Sequence, residues 1–259
     1  MTLLLSLLLL ASPESERMLL GPSPFFRHEG MVRAVRAGDR DLLERAAQSP
    51  RWDSRRMAAL GLESQTPASL LRDPVAVVRE AALAGLDIAA PERDLLELIK
   101  DPDDAVRARA AWALRGSRQR SAARKLFNDP SPSVRLAAFA GAGDFARLRT
   151  AATKGDLATS VGAFRALGAA GSATDASFLL SRLGRALKAV AKEPMPLYLR
   201  DKPGPELALA RAVGDCARRG IAPGGRDVAV YLRRMLDNKK LSGNEIILLA
   251  EAVAGAQDL

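Results

Sequence analysis

Residues 70–86, LLRDPVAVVREAALAGL, contain the motif that decides the fold: Asp-Pro, then Val-Arg, then a run of small apolar residues. The motif returns in residues 101–114 as DPDDAVRARAAWAL and in residues 129–142 as DPSPSVRLAAFAGA. Its Asp stands at positions 73, 101 and 129, so successive copies are 28 residues apart. A fixed period of this length is typical of a supersecondary unit that buries its apolar face only by stacking on its neighbours.

The copies share more than the Asp-Pro pair. Each has an Arg six residues after the Asp, which gives the pairs Asp73 and Arg79, Asp101 and Arg107, and Asp129 and Arg135. A Val precedes each Arg, and an Ala follows it three residues later. A looser copy, SPRWDSRRMAALGL in residues 49–62, has Ser49 in place of the Asp. Agreement at so many positions indicates a structural repeat rather than a chance similarity.

Each copy predicts two short helices separated by the Asp-Pro turn. An amphipathic run such as ERDLLELIK precedes the turn, where Pro ends the helix. A second helix follows, with Asp103 and Ser131 as N-caps in two of the copies. The Val, Ala and Leu positions of this helix share one face. We therefore expect an all-α fold, arranged as an α–α superhelix, a right-handed solenoid of helical pairs.

This pattern resembles HEAT repeats, in particular the short HEAT-like repeats that bilin lyases also contain. The resemblance implies that the turn Asp and the second-helix Arg form a structural ladder from one repeat to the next, because buried charges need partners. In this ladder we expect Arg107 to serve Asp101 and a neighbouring turn. The resemblance covers residues 29–170, and residues 171–259 are expected to be degenerate helical repeats that cap the solenoid, with a Pro-rich loop at 191–205.

The N-terminus is of a different kind. Residues 3–10, LLLSLLLL, form an apolar run that is too short to span a bilayer and fits the apolar region of a secretory signal peptide. We expect a signal peptide in residues 1–12, a tether in residues 13–28, and export to a periplasm or the cell surface, with no integral membrane span. If Met18 or Met31 is the true start, the protein is cytoplasmic.

The chain has one cysteine, Cys216, and one histidine, His28, which restricts its chemistry. An intrachain disulfide and a Cys/His zinc site are excluded, and a serine or cysteine triad would have to use His28. We therefore expect no catalytic residues, no cofactor, no metal and no enzymatic activity.

Residues 105–125, AVRARAAWALRGSRQRSAARK, contain seven cationic side chains and no acid. Arg107 belongs to the ladder, and the predicted binding residues are Arg109, Trp112, Arg115, Arg118 and Arg120. Arg109 and Trp112 share a helix face, and an Arg beside a Trp suits an acidic peptide or a phosphate backbone. The alternative is that Trp112 packs in the core and the Arg side chains are merely solvated.

These observations predict a non-catalytic, monomeric scaffold that binds a protein partner on its concave face, and an acidic partner is one candidate. The net charge of +9 leaves a nucleic-acid-binding protein as an alternative, including a HEAT-like alkylpurine DNA glycosylase, although we identify no catalytic carboxylate beside aromatic residues. A bilin lyase-like protein is a third reading. Cleavage of the chain between residues 11 and 20 would exclude the DNA reading, because an exported protein does not meet DNA.

Overall fold

The first residue of each repeated turn stabilises that turn with a hydrogen bond to its own side chain. In the computed structural model, the Oδ1 atom of each repeated Asp accepts a hydrogen bond from the N–H group two residues later: Asp73 from Val75, Asp101 from Asp103 and Asp129 from Ser131, at 2.9–3.0 Å. The hydroxyl of Ser49 accepts in the same way from the Arg51 N–H at 3.2 Å. Side chains of this kind mimic a backbone turn, so Ser49 can stand where the other copies have Asp.

The structure describes residues 13–193, 204–222, 228–237 and 241–254, and this part of the chain is helical and without strands. The all-α class predicted from the sequence is therefore confirmed. In chain order the α-helices are α1 (Pro13–Leu20), α2 (Pro24–Ala37), α3 (Arg40–Ala47), α4 (Trp52–Leu62), α5 (Ala76–Leu86), α6 (Glu92–Leu98), α7 (Asp104–Ala113), α8 (Pro132–Ala142), α9 (Phe145–Lys154), α10 (Leu157–Ala170), α11 (Ala173–Val190), α12 (Glu206–Arg218), α13 (Val228–Leu236) and α14 (Gly243–Ala254). Short 3-10 helices lie at Glu63–Gln65, Ala68–Arg72, Asp87–Ala89, Leu114–Gly116 and Arg120–Leu126.

The chain divides into two compact units, Met1–Val134 and Arg135–Leu259. In the first unit the second helices of successive copies pack on one another, so that α5 contacts both α4 and α7. The first element of each copy covers the second: the 3-10 helix Ala68–Arg72 packs on α5, and α6 packs on α7. The repeated Val lies at the centre of this packing, since Val78 and Val106 are fully buried.

The second unit is built around α12. This helix contacts α10, α11, α13 and α14, and its many small residues are buried on several sides. Gly168 of α10 lies so close to α12 that a Cβ atom at this position would be 2.6 Å from the Cα of Ala212. Small side chains thus let the two helices approach each other closely.

The predicted tether in residues 13–28 is wrong. Residues 13–20 form α1, and α2 begins at Pro24. Leu19 is fully buried, and its carbonyl accepts a hydrogen bond from the buried Ser54 hydroxyl of α4 at 3.1 Å. Arg27 is also buried, and its guanidinium binds Asp53. The Pro and Gly residues suggested an irregular segment, whereas Leu19 and Arg27 hold it against α4.

The structure describes only some of the other predicted segments. The predicted signal peptide, residues 1–12, lies outside the described residues, and so does most of the predicted Pro-rich loop, since α11 ends at Val190 and residues 194–203 are not described. The boundary between the two compact units lies at 134/135 instead of 170/171. In the described ranges, no helix is both long enough and apolar enough to cross a membrane.

The repeated Arg connects one copy with the next. In three copies its Nε and Nη2 atoms donate to both carboxylate oxygens of the Asp that opens the following copy: Arg55 to Asp73, Arg79 to Asp101 and Arg107 to Asp129, at 2.6–3.1 Å. The Nη1 atom of the same Arg donates to the carbonyl that opens its own copy, that of Ser49, Asp73 or Asp101, at 2.7–2.9 Å. We call this series of contacts the Asp–Arg ladder. Each guanidinium holds its own turn and the next one together.

This geometry corrects the pairing expected for Arg107. The carboxylate of Asp101 is held by Arg79, and Arg107 reaches Asp101 only through its main-chain oxygen. The carboxylate that Arg107 binds is that of Asp129, 22 residues later. The reason is that each Asp carboxylate closes its own turn and also accepts from the preceding copy, which leaves only the carbonyl for its own Arg. Arg135, the last predicted ladder residue, falls at the boundary between the two compact units.

The electrostatics of the ladder are clearest at Asp73. Burial raises the pKa of its carboxyl, but hydrogen bonds from the Arg55 guanidinium and the Val75 N–H outweigh burial and hold the pKa below its ordinary value. The hydrogen bond to Asp73 in turn raises the pKa of Arg55. Both side chains are therefore charged at neutral pH, at 4% exposure for Asp73 and 14% for Arg55.

Replacing Arg107 with Ala should destabilise the protein much more than replacing Arg109 with Ala on the same helix. Removing one partner of a buried ion pair costs about 3–5 kcal/mol, whereas Arg109 is 42% exposed and its ion pair falls in the range of about 0–1 kcal/mol. Urea titrations of the two variants measure the contrast. Equal shifts of the two midpoints would mean that the ladder does not stabilise the fold.

Replacing Asp73 with Asn should make the free energy of unfolding less dependent on pH under acidic conditions. Because the folded-state pKa of Asp73 is depressed, its ionisation stabilises the fold above the unfolded-state pKa of about 3.9, and this contribution is lost as the pH falls through the lower folded-state value. The free energy of unfolding in urea, measured between about pH 6 and pH 3, should fall less steeply for the Asn variant. If the free energy of unfolding falls equally steeply with pH in both proteins, then ionised Asp73 does not stabilise the fold as proposed.

Candidate anion-binding surface

The predicted binding residues lie in two different settings. Arg109 and Trp112 are on α7, which begins after Asp103, whose Oδ1 accepts hydrogen bonds from the N–H groups of the first turn at 3.0 and 3.1 Å. Arg118 precedes the 3-10 helix Arg120–Leu126, and Arg120 is its first residue. The structure therefore does not bring all five predicted residues onto one surface element.

Arg109 and Arg115 are neutralised by acids of the preceding copy. Arg109 donates to the carboxylate of Glu80 at 3.0 and 3.1 Å, and Arg115 donates to both carboxylate oxygens of Asp87. These two predicted binding side chains are therefore already paired with carboxylates of the protein itself. Reversing their charge would set two carboxylates against each other and would destabilise the fold.

Trp112 lies half-buried beneath Arg115. The Arg115 guanidinium is 4.5 Å from the centre of the indole ring, and its Nη1 donates to the Trp112 carbonyl at 3.0 Å. An Arg–Trp pair therefore forms within the protein, with Arg115 in place of the expected Arg109. Because the guanidinium covers the ring and Asp87 binds the guanidinium, this pair is part of the packing between copies.

The uncompensated positive charge lies in the next segment. Four side chains are exposed here and form no ion pair with any residue that the structure describes: Arg118, Arg120, Arg124 and Lys125. We call them the basic cluster. The buried side chains of Ala123 and Leu126 anchor the opposite side of the 3-10 helix. The helix thus presents its cationic side chains to solvent and its small apolar ones to the core.

Glu92, the first residue of α6, fixes the start of this segment. Its carboxylate accepts hydrogen bonds from the Ser117 hydroxyl at 2.8 Å and the Arg118 N–H at 2.9 Å. These two contacts hold the pKa of Glu92 below its ordinary value, so the carboxylate is ionised at neutral pH. Glu92 binds no cationic side chain of the basic cluster, and it orders the backbone from which these side chains project.

The acids that neutralise Arg109 and Arg115 were missed because they lie in another copy. Glu80 and Asp87 precede their partners by 29 and 28 residues, which is one repeat period to within a residue. A search for acids within the segment could not find them. A comparison of each Arg with the position one period earlier would have found both, since stacked repeats bring equivalent positions together.

Cys216 and His28 lie in contrasting environments. Cys216 on α12 is 1% exposed, and burial raises the pKa of its thiol to about 11, so it is protonated at neutral pH. A buried thiol of this kind packs as a small apolar residue and is a poor nucleophile. His28 is exposed on α2. In the described ranges, no three His, Cys, Asp or Glu side chains are grouped closely enough to hold a metal ion.

Comparisons with known proteins leave the site to be judged on its geometry. No protein-family model matches the chain, and the search of curated proteins returned no match. The functional assignment therefore rests on the Asp–Arg ladder, the ion pairs of α7 and the exposed basic cluster.

Proposed function

We propose that the protein is a non-catalytic interaction module of the HEAT-repeat type, exported and monomeric, that binds an acidic protein segment through its basic cluster. The repeated ladder supports the HEAT-like solenoid, since one contact between copies recurs three times with the same atoms. The apolar run in residues 3–10 supports export. Relative to the sequence-based prediction, the proposed contact surface keeps Arg118 and Arg120, adds Arg124 and Lys125, and no longer includes Arg109, Trp112 and Arg115.

The observation that carries this proposal concerns residues 105–125, where some cationic side chains are paired with carboxylates and others are not. The guanidinium groups of the ladder, of Arg109 and of Arg115 bind carboxylates of the protein itself, whereas the side chains of the basic cluster bind none that the structure describes. Exposed cations anchored on an ordered backbone attract anions over a distance of about a Debye length, and they favour a partner of opposite charge. An acidic peptide offers several carboxylates, each of which can bind a guanidinium through two hydrogen bonds.

A nucleic-acid partner is the second candidate, and the basic pI near 10.3 favours it. Two features of the site favour protein instead. Arg115 covers one face of the half-buried Trp112 ring, so a base could stack on that face only by displacing the guanidinium. The carboxylate of Asp87 is bound by the same guanidinium, which disfavours a role as the catalytic carboxylate of a glycosylase.

Reversing the charge of three arginines of the basic cluster should weaken binding to an acidic peptide without affecting the fold. We expect the triple change Arg118→Glu, Arg120→Glu and Arg124→Glu to weaken binding of a fluorescent oligoglutamate peptide by roughly tenfold or more at low salt. The difference should narrow at high salt, because ions screen exposed charges. Fluorescence anisotropy measures the affinity, and circular dichroism checks that the helical signal is unchanged.

The matched control moves the same charge elsewhere. Arg17, Arg36 and Arg165 are also exposed, and changing all three to Glu gives the same net charge as the first variant. This control should retain most of the affinity. Equal weakening in both variants would show that only the overall charge attracts the peptide, and the proposal would fail. Tighter binding of a 20-base-pair DNA duplex than of oligoglutamate at the same salt would favour the nucleic-acid alternative.

A further inference from the structure

The second compact unit contains a pocket of about 310 Å³ between α10, α11 and the start of α12. Its wall is apolar and comes from three helices, with Phe164 of α10, Ala186 and Ala189 of α11, and Leu209 of α12. Phe164 and Leu209 are 2% and 4% exposed, so the floor belongs to the core. The volume is at the lower end of the range of about 300–1,000 Å³ that is typical of small-molecule sites.

Two guanidinium groups line the same pocket. Arg182 and Arg185 lie three residues apart on α11 and therefore project from neighbouring turns of one face. Neither has an ion-pair partner among the described residues. Burial, and then the positive charge of Arg185, lower the pKa of Arg182. Arg182 is half-buried like the ladder arginines, and its guanidinium lies 5.7 Å from the centre of the Phe178 ring instead of binding a carboxylate, whereas Arg185 is exposed.

Among the described residues, Glu206 is the one acid that lines the pocket, and its carboxylate lies against Gly204. A Cβ atom on that glycine would overlap Glu206 Oε2. Glu206 is also the first residue of α12, where a negative charge interacts favourably with the helix dipole. The described lining residues carry two positive groups and one negative group, so this lining favours an anion.

We propose that this pocket binds a small organic anion with an apolar body, such as a medium-chain carboxylate. Its head group accepts hydrogen bonds from Arg182 and Arg185, and its chain lies against Phe164 and Leu209. A carboxylate matches the planar fork of a guanidinium. A bound anion also relieves the repulsion between the two like charges, which gives the charged ligand an advantage over a neutral one of the same size.

Calorimetric titration of the full chain with decanoate tests this proposal. We expect a Kd on the order of 0.1 mM for this ligand of about twelve non-hydrogen atoms. Decanol, which has the same chain without the charge, should bind roughly tenfold more weakly or not at all. Absence of decanoate binding, or equal binding of decanol, overturns the proposal.

Three variants locate the binding site. Arg182→Gln with Arg185→Gln should weaken decanoate binding roughly tenfold or more, whereas Lys188→Gln, a loss of charge on an exposed residue of the same helix that does not line the pocket, should change it little. Ala189→Phe fills the pocket without altering its charge and should also reduce binding. Thermal melting confirms that each variant is folded. Equal effects of the Lys188 and Arg182/Arg185 changes, or full binding by the Phe variant, would place decanoate elsewhere and reject the pocket.

Discussion

The hydrogen bond from the Arg of one copy to the Asp of the next is the contact on which the order of the first compact unit depends. The Asp side chains are 4–7% exposed and the Arg side chains 13–15% exposed, so neither charge is well hydrated and each requires the other. The same carboxylate also closes its own turn. An Asn has one oxygen too few for both tasks, and a Glu places its carboxylate one bond too far from the turn.

This double use of the carboxylate joins local structure to packing. The carboxylate that closes a turn also binds the guanidinium of the preceding copy, and that guanidinium is placed by a helix that begins at its own turn. Ion pairs between Arg109 and Glu80 and between Arg115 and Asp87 repeat the principle along the second helices. Most of these charges therefore form ion pairs between copies. For this reason, net charge alone is a poor guide to where the protein can bind a partner.

Features that follow the repeat period could be predicted from the sequence, whereas contacts with side chains in another copy could not. The Asp-Pro turns, the second helices and the N-cap at Asp103 follow from residue spacing and local chemistry. Which copy supplies the partner of Arg107 does not, because a repeat period fixes positions only to within a whole repeat. The segment 13–28 was misread for a related reason: its helices are held by distant Ser54 and Asp53, which its own composition does not reveal.

The role of an arginine in this protein therefore depends on the groups that its guanidinium contacts, and the number of arginines says little about it. A guanidinium that is half-buried and bound to Asp stabilises the fold, as in the ladder and at Asp175, which is fully buried and bound by Arg149. A guanidinium that is half-buried without a carboxylate leaves part of its desolvation cost uncompensated. Arg182 is in that position beside an apolar pocket, and the lowered pKa of its side chain reflects the same cost. Such a group gains more from an incoming anion than the exposed cations of the basic cluster do, because water already solvates the latter. Selective binding of a small ligand is thus expected from the second unit, and longer-range, salt-sensitive attraction from the first.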